Sequence, residues 1–334
     1  MSTNDIASDM ASDMASDMAN DMAERSQPGG TSTLAGHRVA RIGFGVMQLT
    51  EHRPGRPAVT PEAATAILRG AVDSGINHLD TAEFYGTHAA NANDLIRAAL
   101  HPYPDDLVLA TKVGAERDAA GALLPAQRPE QLRASVEANL VRLGTERLAV
   151  VNIRRVDAAP GIVAEGDQRV DLDSQLAELV ALRDAGKIDG IGLSNVSAAQ
   201  LRHALPAGIV CVQNSHSPVD RASEPVLDLC REHDIAWVPF CPLGSAFPQW
   251  PKVADQPAVR TAAAALGVTP VQVGIAWHLA HYANTLLIAG TADPAHLAEN
   301  IAAGEVRLDA ETLAAIDAID TTDGIDGIDF DAVV

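Results

Sequence analysis

Asp80, Tyr85 and Lys112 fall close together in a chain of 334 residues and are of the types that jointly move a proton. A tyrosine with an unperturbed pKa of about 10 donates poorly to an alkoxide at neutral pH, and an adjacent ammonium lowers that pKa. Lys112 can supply the charge, and Asp80 can hold the lysine in place at a water-poor site. The same residues also read as a structural Asp80–Lys112 ion pair with Tyr85 merely packed in a loop. Other polar residues close apolar runs in the same manner: Arg154 after Val150 to Ile153, Ser194 and Asn195 after Ile191 to Leu193, Gln213 after Cys211 and Val212. His88, soon after Tyr85, and His216, soon after Val212, are candidate substrate contacts, each equally readable as a loop residue. His278 and His281 share a helical face, but neither an acidic ligand nor an H-E-x-x-H pattern accompanies them, so no metal site is expected.

The elements that must position these residues alternate along the chain. Extended runs are expected at Val39–Val46, Ile76–Ala82, Leu107–Val113, Leu148–Ile153, Ile188–Leu193, Ile209–Val212, Ala236–Phe240 and Thr285–Ile288. Each of the seven intervals holds a helical pattern, the clearest being Leu132, Val136, Leu140 and Leu143, stopped by Gly144. Short apolar strands separated by amphipathic helices predict a parallel sheet, and the count of eight predicts an α/β fold closed as a (β/α)8 TIM barrel. The rival, an open doubly wound sheet, lacks its dinucleotide fingerprint: Gly43 and Gly45 have no third glycine after them. In a barrel the strand ends converge on one mouth, which gathers the polar residues named above.

Composition narrows the partners. With 24 Lys plus Arg against 44 Asp plus Glu, a formal net charge of −20, the chain has no basic stripe for nucleic acid. Val271–Ile288, the most apolar late stretch, is interrupted by His278, His281 and Asn284, against a bilayer span. Three cysteines, Cys211, Cys230 and Cys241, make no dense disulfide framework and read as buried, inert thiols. Without a basic-then-apolar leader, a cytoplasmic protein is expected. Residues 7–22 repeat A-S/N-D-M with a period of four and run into Gln27-Pro28-Gly29-Gly30. Residues 1–30 are therefore expected to be a disordered tail, 31–320 the barrel, and 321–334 an acidic C-terminal tail.

Asn77-His78-Leu79-Asp80-Thr81-Ala82-Glu83-Phe84-Tyr85-Gly86, Ala110-Thr111-Lys112-Val113, Gly190-Ile191-Gly192-Leu193-Ser194-Asn195 and Val212-Gln213-Asn214 follow one another in an order and spacing that resemble the aldo-keto reductases. The resemblance covers roughly residues 38–320 and implies a barrel that binds a nicotinamide dinucleotide without a Rossmann domain. It implies Tyr85 as proton donor, Lys112 as the group that lowers its pKa, and Asp80 as the group that holds Lys112. Ser194, Asn195 and Gln213 match positions that bind the nicotinamide carboxamide, and Phe240 matches the aromatic on which the ring stacks. Gly45, Met47 and the turn Pro242-Leu243-Gly244 complete that side. Gly290, Thr291, His296, Glu299 and Asn300 resemble the segment that grips the adenosine phosphate at a helix N-terminus.

Two departures sharpen the resemblance. Arg154 stands where the family usually places histidine, and a guanidinium differs from a neutral imidazole in charge, size and geometry. That arginine, with Gly86-Thr87-His88, Tyr103-Pro104-Asp105-Asp106, Leu124-Pro125-Ala126 and Val238 to Gly244, is similar to the pyridoxal reductase branch. Gly290 and His296 stand where many members place Lys and Arg, diluting recognition of a 2′-phosphate, so NADP(H) is the expected cofactor with NADH as competitor. The implied activity is reduction of a small aldehyde, pyridoxal to pyridoxine, with Arg154 polarising the carbonyl or pairing with an anionic ring oxygen. The alternatives are a general aldehyde or quinone reductase of the same fold and a catalytically weak NADP(H)-binding regulatory subunit. A monomer or weak homo-oligomer is expected.

Overall fold

The computed structural model describes residues 27–50, 58–87, 90–157, 161–244 and 250–321. The Met-rich repeat, the C-terminal stretch after Thr321 and His88 lie outside the described residues. Gln27 to Gly30, expected in the tail, instead belong to the fold. Gly30 N–H donates to Gln27 O at 3.1 Å, Ile42 N–H to Pro28 O at 3.0 Å, and Arg41 N–H to Gly30 O at 2.8 Å. Gly29 and Gly30 take φ of 76° and 83°, so these breakers build a turn where only glycine turns cheaply.

β1 (Thr31–Leu34) and β2 (His37–Ala40) form an antiparallel hairpin. Asn77 receives Ala40 N–H at 2.8 Å and donates to Arg38 O at 3.0 Å, which seats the hairpin at the N-terminal end of the sheet. Leu34 and Val39 there bury against Val108, Val150 and Leu286, plugging the barrel floor. Seven parallel strands then lie side by side in chain order: β3 (Phe44–Gly45), β4 (His78–Asp80), β5 (Val108–Val113), β6 (Leu148–Arg154), β7 (Ile188–Ser194), β8 (Ile209–Gln213) and β9 (Ala236–Trp237).

The eighth expected strand is reduced to single bridges, Thr285 to Trp237 and Leu287 to Ile42. They suffice to close the ring: Leu286 N–H donates to Trp237 O and Leu287 N–H to Arg41 O, each at 2.8 Å, and Gly43 N–H to Leu287 O at 2.7 Å. The first expected run, Val39–Val46, is broken into the end of β2, the Ile42 bridge and β3. At the break, Gly43 backs onto the His78 imidazole, where a Cβ would come within 2.0 Å of Nε2. Ala236–Phe240 shortens to β9, since Pro239 has no N–H with which to extend a ladder.

Between the strands run α1 (Pro61–Asp73), α2 (Ala92–Leu100), α3 (Pro129–Leu143), α4 (Leu172–Asp184), α5 (Ala198–Ala204) and α6 (Glu224–Glu232), followed by α7 (Pro257–Leu266), α8 (Pro270–His281), α9 (Pro294–Ala302) and α10 (Ala310–Asp317). Their boundaries follow local chemistry. Thr60 caps α1 by accepting Ala63 N–H, with Pro61 pre-setting the first turn. α3 buries Leu132, Val136, Leu140 and Leu143 at the spacing read from sequence and ends at Gly144, whose φ of 67° is left-handed. Each such side chain contributes about 1.5–3 kcal/mol on burial. The main core is the layer between helices and sheet, and it fixes the strand ends that form the mouth. No single helix among the described residues is long and apolar enough to cross a membrane, and 271–288 divides between α8 and the closing segment.

Candidate active site

Asp80 closes β4 and Lys112 lies in the neighbouring β5, both buried. Lys112 Nζ donates to Asp80 Oδ2, and to Thr81 O at 3.3 Å. Gln213 Nε2, at the end of β8, donates to the other carboxylate oxygen at 2.7 Å, so both Asp80 oxygens are occupied and the acid is fixed. Tyr85 follows in the loop after β4, and Lys112 Nζ sits 4.9 Å from its ring centroid.

Behind these residues runs a buried amide and hydroxyl network that sequence reasoning missed. Thr81 Oγ1 donates to Asn93 Oδ1 at 2.8 Å, Asn93 to Asn139 Oδ1 at 2.8 Å, and Thr111 Oγ1 to the same oxygen at 2.7 Å. It ties the ends of β4 and β5 to α2 and α3 with each of these donors matched to an acceptor, which holds a polar core rigid.

The charges act on one another. Burial pushes the Lys112 pKa down, but Asp80 and then Tyr85 outweigh it and the net direction is upward, so the ammonium persists. Burial is also the largest influence on Tyr85 and raises its pKa; Lys112 and Arg154 pull it down without reversing the rise. The lowering expected from the lysine alone is therefore offset: the hydroxyl is held protonated, the form a proton donor needs.

Arg154, at the end of β6, lies with its guanidinium 5.6 Å from the Phe84 ring centroid. Its backbone carbonyl accepts from Gln127 Nε2 at 2.8 Å, but no carboxylate among the described residues pairs with the guanidinium. Burial lowers its pKa, Tyr85 opposes that and Arg117 adds to it; a guanidinium remains charged nonetheless. Phe84, with Ala82, Ala115, Leu123 and Ile162, forms an apolar wall beside Tyr85. Its contribution was hidden in sequence because an aromatic preceding Tyr85 has no spacing signal of its own.

The remaining candidates divide. Ser194 is buried at the end of β7, and Asn195, at φ 59°, donates its side-chain N–H to Arg155 O at 3.1 Å. Phe240 is half-buried, its N–H bonded to Asn214 O at 3.0 Å, and Pro242, Leu243 and Gly244 are half-buried beside it. Gly244 takes φ 82° and a Cβ there would meet Pro251 O at 2.2 Å. Gly45 and Gly290 approach backbone to backbone, a Cβ on Gly290 falling 2.0 Å from Gly45 O, and Met47 is 37% exposed at the rim. Thr291 accepts Asp293 N–H at 3.0 Å, Asn300 is buried, Glu299 is half-buried, and His296 is exposed with Nδ1 at 4.0 Å from Asp293.

His216 does not join this group. It is fully buried, bonds Glu224 at 3.1 Å and packs among Trp237, Trp277, His278 and His281, because the strand extension after β8 turns it toward α6 and α8. Cys211 and Cys230 are buried, burial pushing both thiols up, Cys230 to about 12; Cys241 is only half-buried, contrary to expectation.

A nicotinamide dinucleotide fits what is left open. Gln213 Oε1 is buried with no partner once Nε2 is committed to Asp80, which leaves one acceptor for a carboxamide N–H.

Residues 41–321 match the Aldo/keto reductase family. Pyridoxine 4-dehydrogenase of Escherichia coli (strain K12) is 40% identical over 288 residues, covering 86% of this chain and 97% of that protein. Probable pyridoxal reductase 2 of Schizosaccharomyces pombe is 32% identical over 218 residues, 62% of this chain and 60% of that protein. An aldo/keto reductase from Klebsiella pneumoniae, solved with NADP and acetate, has the same fold at a TM-score of 0.67 and 24% identity, over 84% of this chain and 91% of that one. The family match runs from the residue after β2 to beyond α10, far outside the mouth itself, and on that extent of agreement the chain belongs to the aldo/keto reductase family of oxidoreductases.

Proposed function

We propose that the protein reduces an aldehyde to a primary alcohol with NADP(H), pyridoxal to pyridoxine being the best-supported pair, and that Tyr85 is the proton donor. The observation that carries this reading is Tyr85 packed against an Asp80-anchored Lys112, with Arg154 nearby and no carboxylate paired with its guanidinium among the described residues. The 40% identity to a pyridoxine 4-dehydrogenase supports the substrate class. When bound, the reduced nicotinamide supplies the hydride.

Ser194, Asn195 and Gln213 would hold its carboxamide, Gln213 through the unpartnered Oε1, and Phe240 would support the ring face. Gly45, Met47, Pro242, Leu243 and Gly244 would line its path, and Gly290, Thr291, His296, Glu299 and Asn300 the adenosine end. Tyr85 gives its hydroxyl proton to the carbonyl oxygen as negative charge develops there, and Lys112 stabilises the phenolate left behind. Arg154 directs its fixed charge at the carbonyl oxygen or an ionised ring hydroxyl, while Phe84 and its apolar neighbours exclude water and strengthen that interaction.

Steady-state NADPH consumption with pyridoxal, against benzaldehyde and against NADH, tests the reading. Strong preference for pyridoxal is expected. Equal rates with both aldehydes point to a general aldehyde reductase, and cofactor fluorescence changes without turnover point to a binding subunit.

A further inference from the structure

Behind the Phe240–Gly244 strip, three side chains from separate elements converge. His216 follows β8, Glu224 is the first residue of α6 and His281 the last of α8. Glu224 Oε1 is 3.1 Å from His216 Nε2 and 2.9 Å from His281 Nε2, and the three ligand atoms all lie within 4.8 Å of one another. We propose that His216, Glu224 and His281 form a binding site for one divalent transition-metal ion of the zinc type, separate from the reaction at the mouth.

Tetrahedral zinc holds N and O ligands at about 2.0–2.2 Å, which places neighbouring ligand atoms about 3.4 Å apart. The two observed nitrogen-to-oxygen distances need only a small expansion to reach that spacing. Two imidazoles and one carboxylate are a ligand set found in catalytic zinc sites, with a fourth position left for water. That water has a route in, because the Glu224 and His281 side chains keep 26% and 19% exposure while His216 has none.

The surroundings favour a cation. His216 is fully buried with Nε2 turned to Glu224, the nitrogen that would offer its lone pair to an ion. His216 Nδ1 is itself buried with no partner, leaving Nε2 as the nitrogen that fixes the ring. Trp277 stacks on His281 with centroids 4.4 Å apart and holds that ring in place. Arg231 lies 3.7 Å from the other Glu224 oxygen and bonds Asp228 at 2.8 Å and His281 O at 3.0 Å, so Asp228 shares its charge and Glu224 Oε1 is left to the two imidazoles. His278 is not a ligand: its Nε2 faces Pro242 O at 3.0 Å.

Such an ion would pin β8, α6 and α8 together. Its partners are separated along the chain by 8 and 57 residues, which is why the His278–His281 spacing carried no metal signal.

The test uses the full chain, stripped with chelator and titrated calorimetrically with zinc, with cobalt as a spectroscopic probe. One equivalent per chain, a rise in melting temperature and visible cobalt bands of tetrahedral intensity are expected. Glu224→Gln and His281→Gln, which keep volume, should each weaken zinc binding by about tenfold or more and abolish the thermal shift. His203→Gln, at an exposed histidine beside Asp173, should change nothing. Absence of stoichiometric binding, or binding and cobalt bands retained in both variants, overturns the proposal. Circular dichroism of each metal-free variant establishes that it is folded; should one fail to fold, the other decides.

Discussion

At the end of β6 the chain places two arginines side by side, and their surroundings differ in every respect that matters for chemistry. Arg155 is 6% exposed and fully engaged: it meets both oxygens of Asp157 at 2.6 and 2.9 Å, Gln175 Oε1 at 2.5 Å and Val170 O at 3.0 Å. Arg154 has no such partner among the described residues and rests on Phe84 beside Tyr85. Alternation of side chains at a strand end turns one residue toward the mouth and its neighbour toward the helical layer. A guanidinium partly withdrawn from water gains from a carboxylate, and among the described residues Arg154 lacks one, which leaves its charge available to a ligand at the mouth. The bridge to a neighbouring acid is made by Arg155.

The comparison breaks most sharply at the mouth. Tyr85→Phe removes the hydroxyl proposed as the donor, together with its contact to Lys112, while Lys112 keeps Asp80, so kcat should fall by roughly 10²–10⁴-fold while cofactor affinity stays within a few fold. Unchanged turnover would remove Tyr85 from the mechanism. The pH profile carries a sign as well. Because burial raises the Tyr85 pKa above the ordinary tyrosine value, the proposed donor stays protonated through neutral pH and is lost only in strong alkali. Aldehyde reduction should therefore stay flat across the neutral range and fall in strong alkali, whereas alcohol oxidation, which needs the phenolate, should climb with pH.

Next in size come the two arginines themselves. Arg154→Met should cost about 2–4 kcal/mol in kcat/KM, the scale of one electrostatic group at a developing oxyanion, with the melting temperature little changed. Arg155→Met should do the reverse. Asp157 keeps 40% side-chain exposure and can turn to water, so the loss is about 1–2 kcal/mol of stability, below the about 3–5 kcal/mol of a fully buried pair. Unfolding in denaturant and steady-state kinetics on both variants check the pair; identical behaviour would dissolve the distinction between them.

What was legible in the sequence follows from range. Asp80, Lys112, Arg154 and Gln213 were readable because a polar residue ending an apolar run has one natural place, the sheet's C-terminal edge. The α3 stripe was readable because four leucine and valine positions repeat at helical spacing and a glycine stops them. The closing run at Thr285 to Ile288 was legible too, but its reduction to single bridges was not, since it depends on Trp237 and Ile42, which are distant along the chain. Nor was the fate of His216, which depends on Glu224 and Trp277 arriving from α6 and α8. The lowering pull of Lys112 on Tyr85 was visible in sequence, but the opposing effect of burial was not, because burial belongs to the packed structure.

The smallest effect is expected at the adenosine end, where the chain has no arginine to compare. α9 begins after Asp293, whose side chain accepts Ala295 N–H and so uses one of the donors that a phosphate would otherwise take. His296, the histidine in this stretch, is largely exposed and 4.0 Å from that carboxylate. His296→Arg would add a permanent fork-shaped charge at a helix N-terminus, in solvent and partly matched by Asp293, worth about 0.5–1 kcal/mol toward a 2′-phosphate. The ratio of kcat/KM for NADPH over NADH should rise by about two- to fivefold, and adding Asp293→Asn should raise it again by removing the competing charge. A ratio that does not move in either variant would place the 2′-phosphate elsewhere than α9 and separate this segment from cofactor choice.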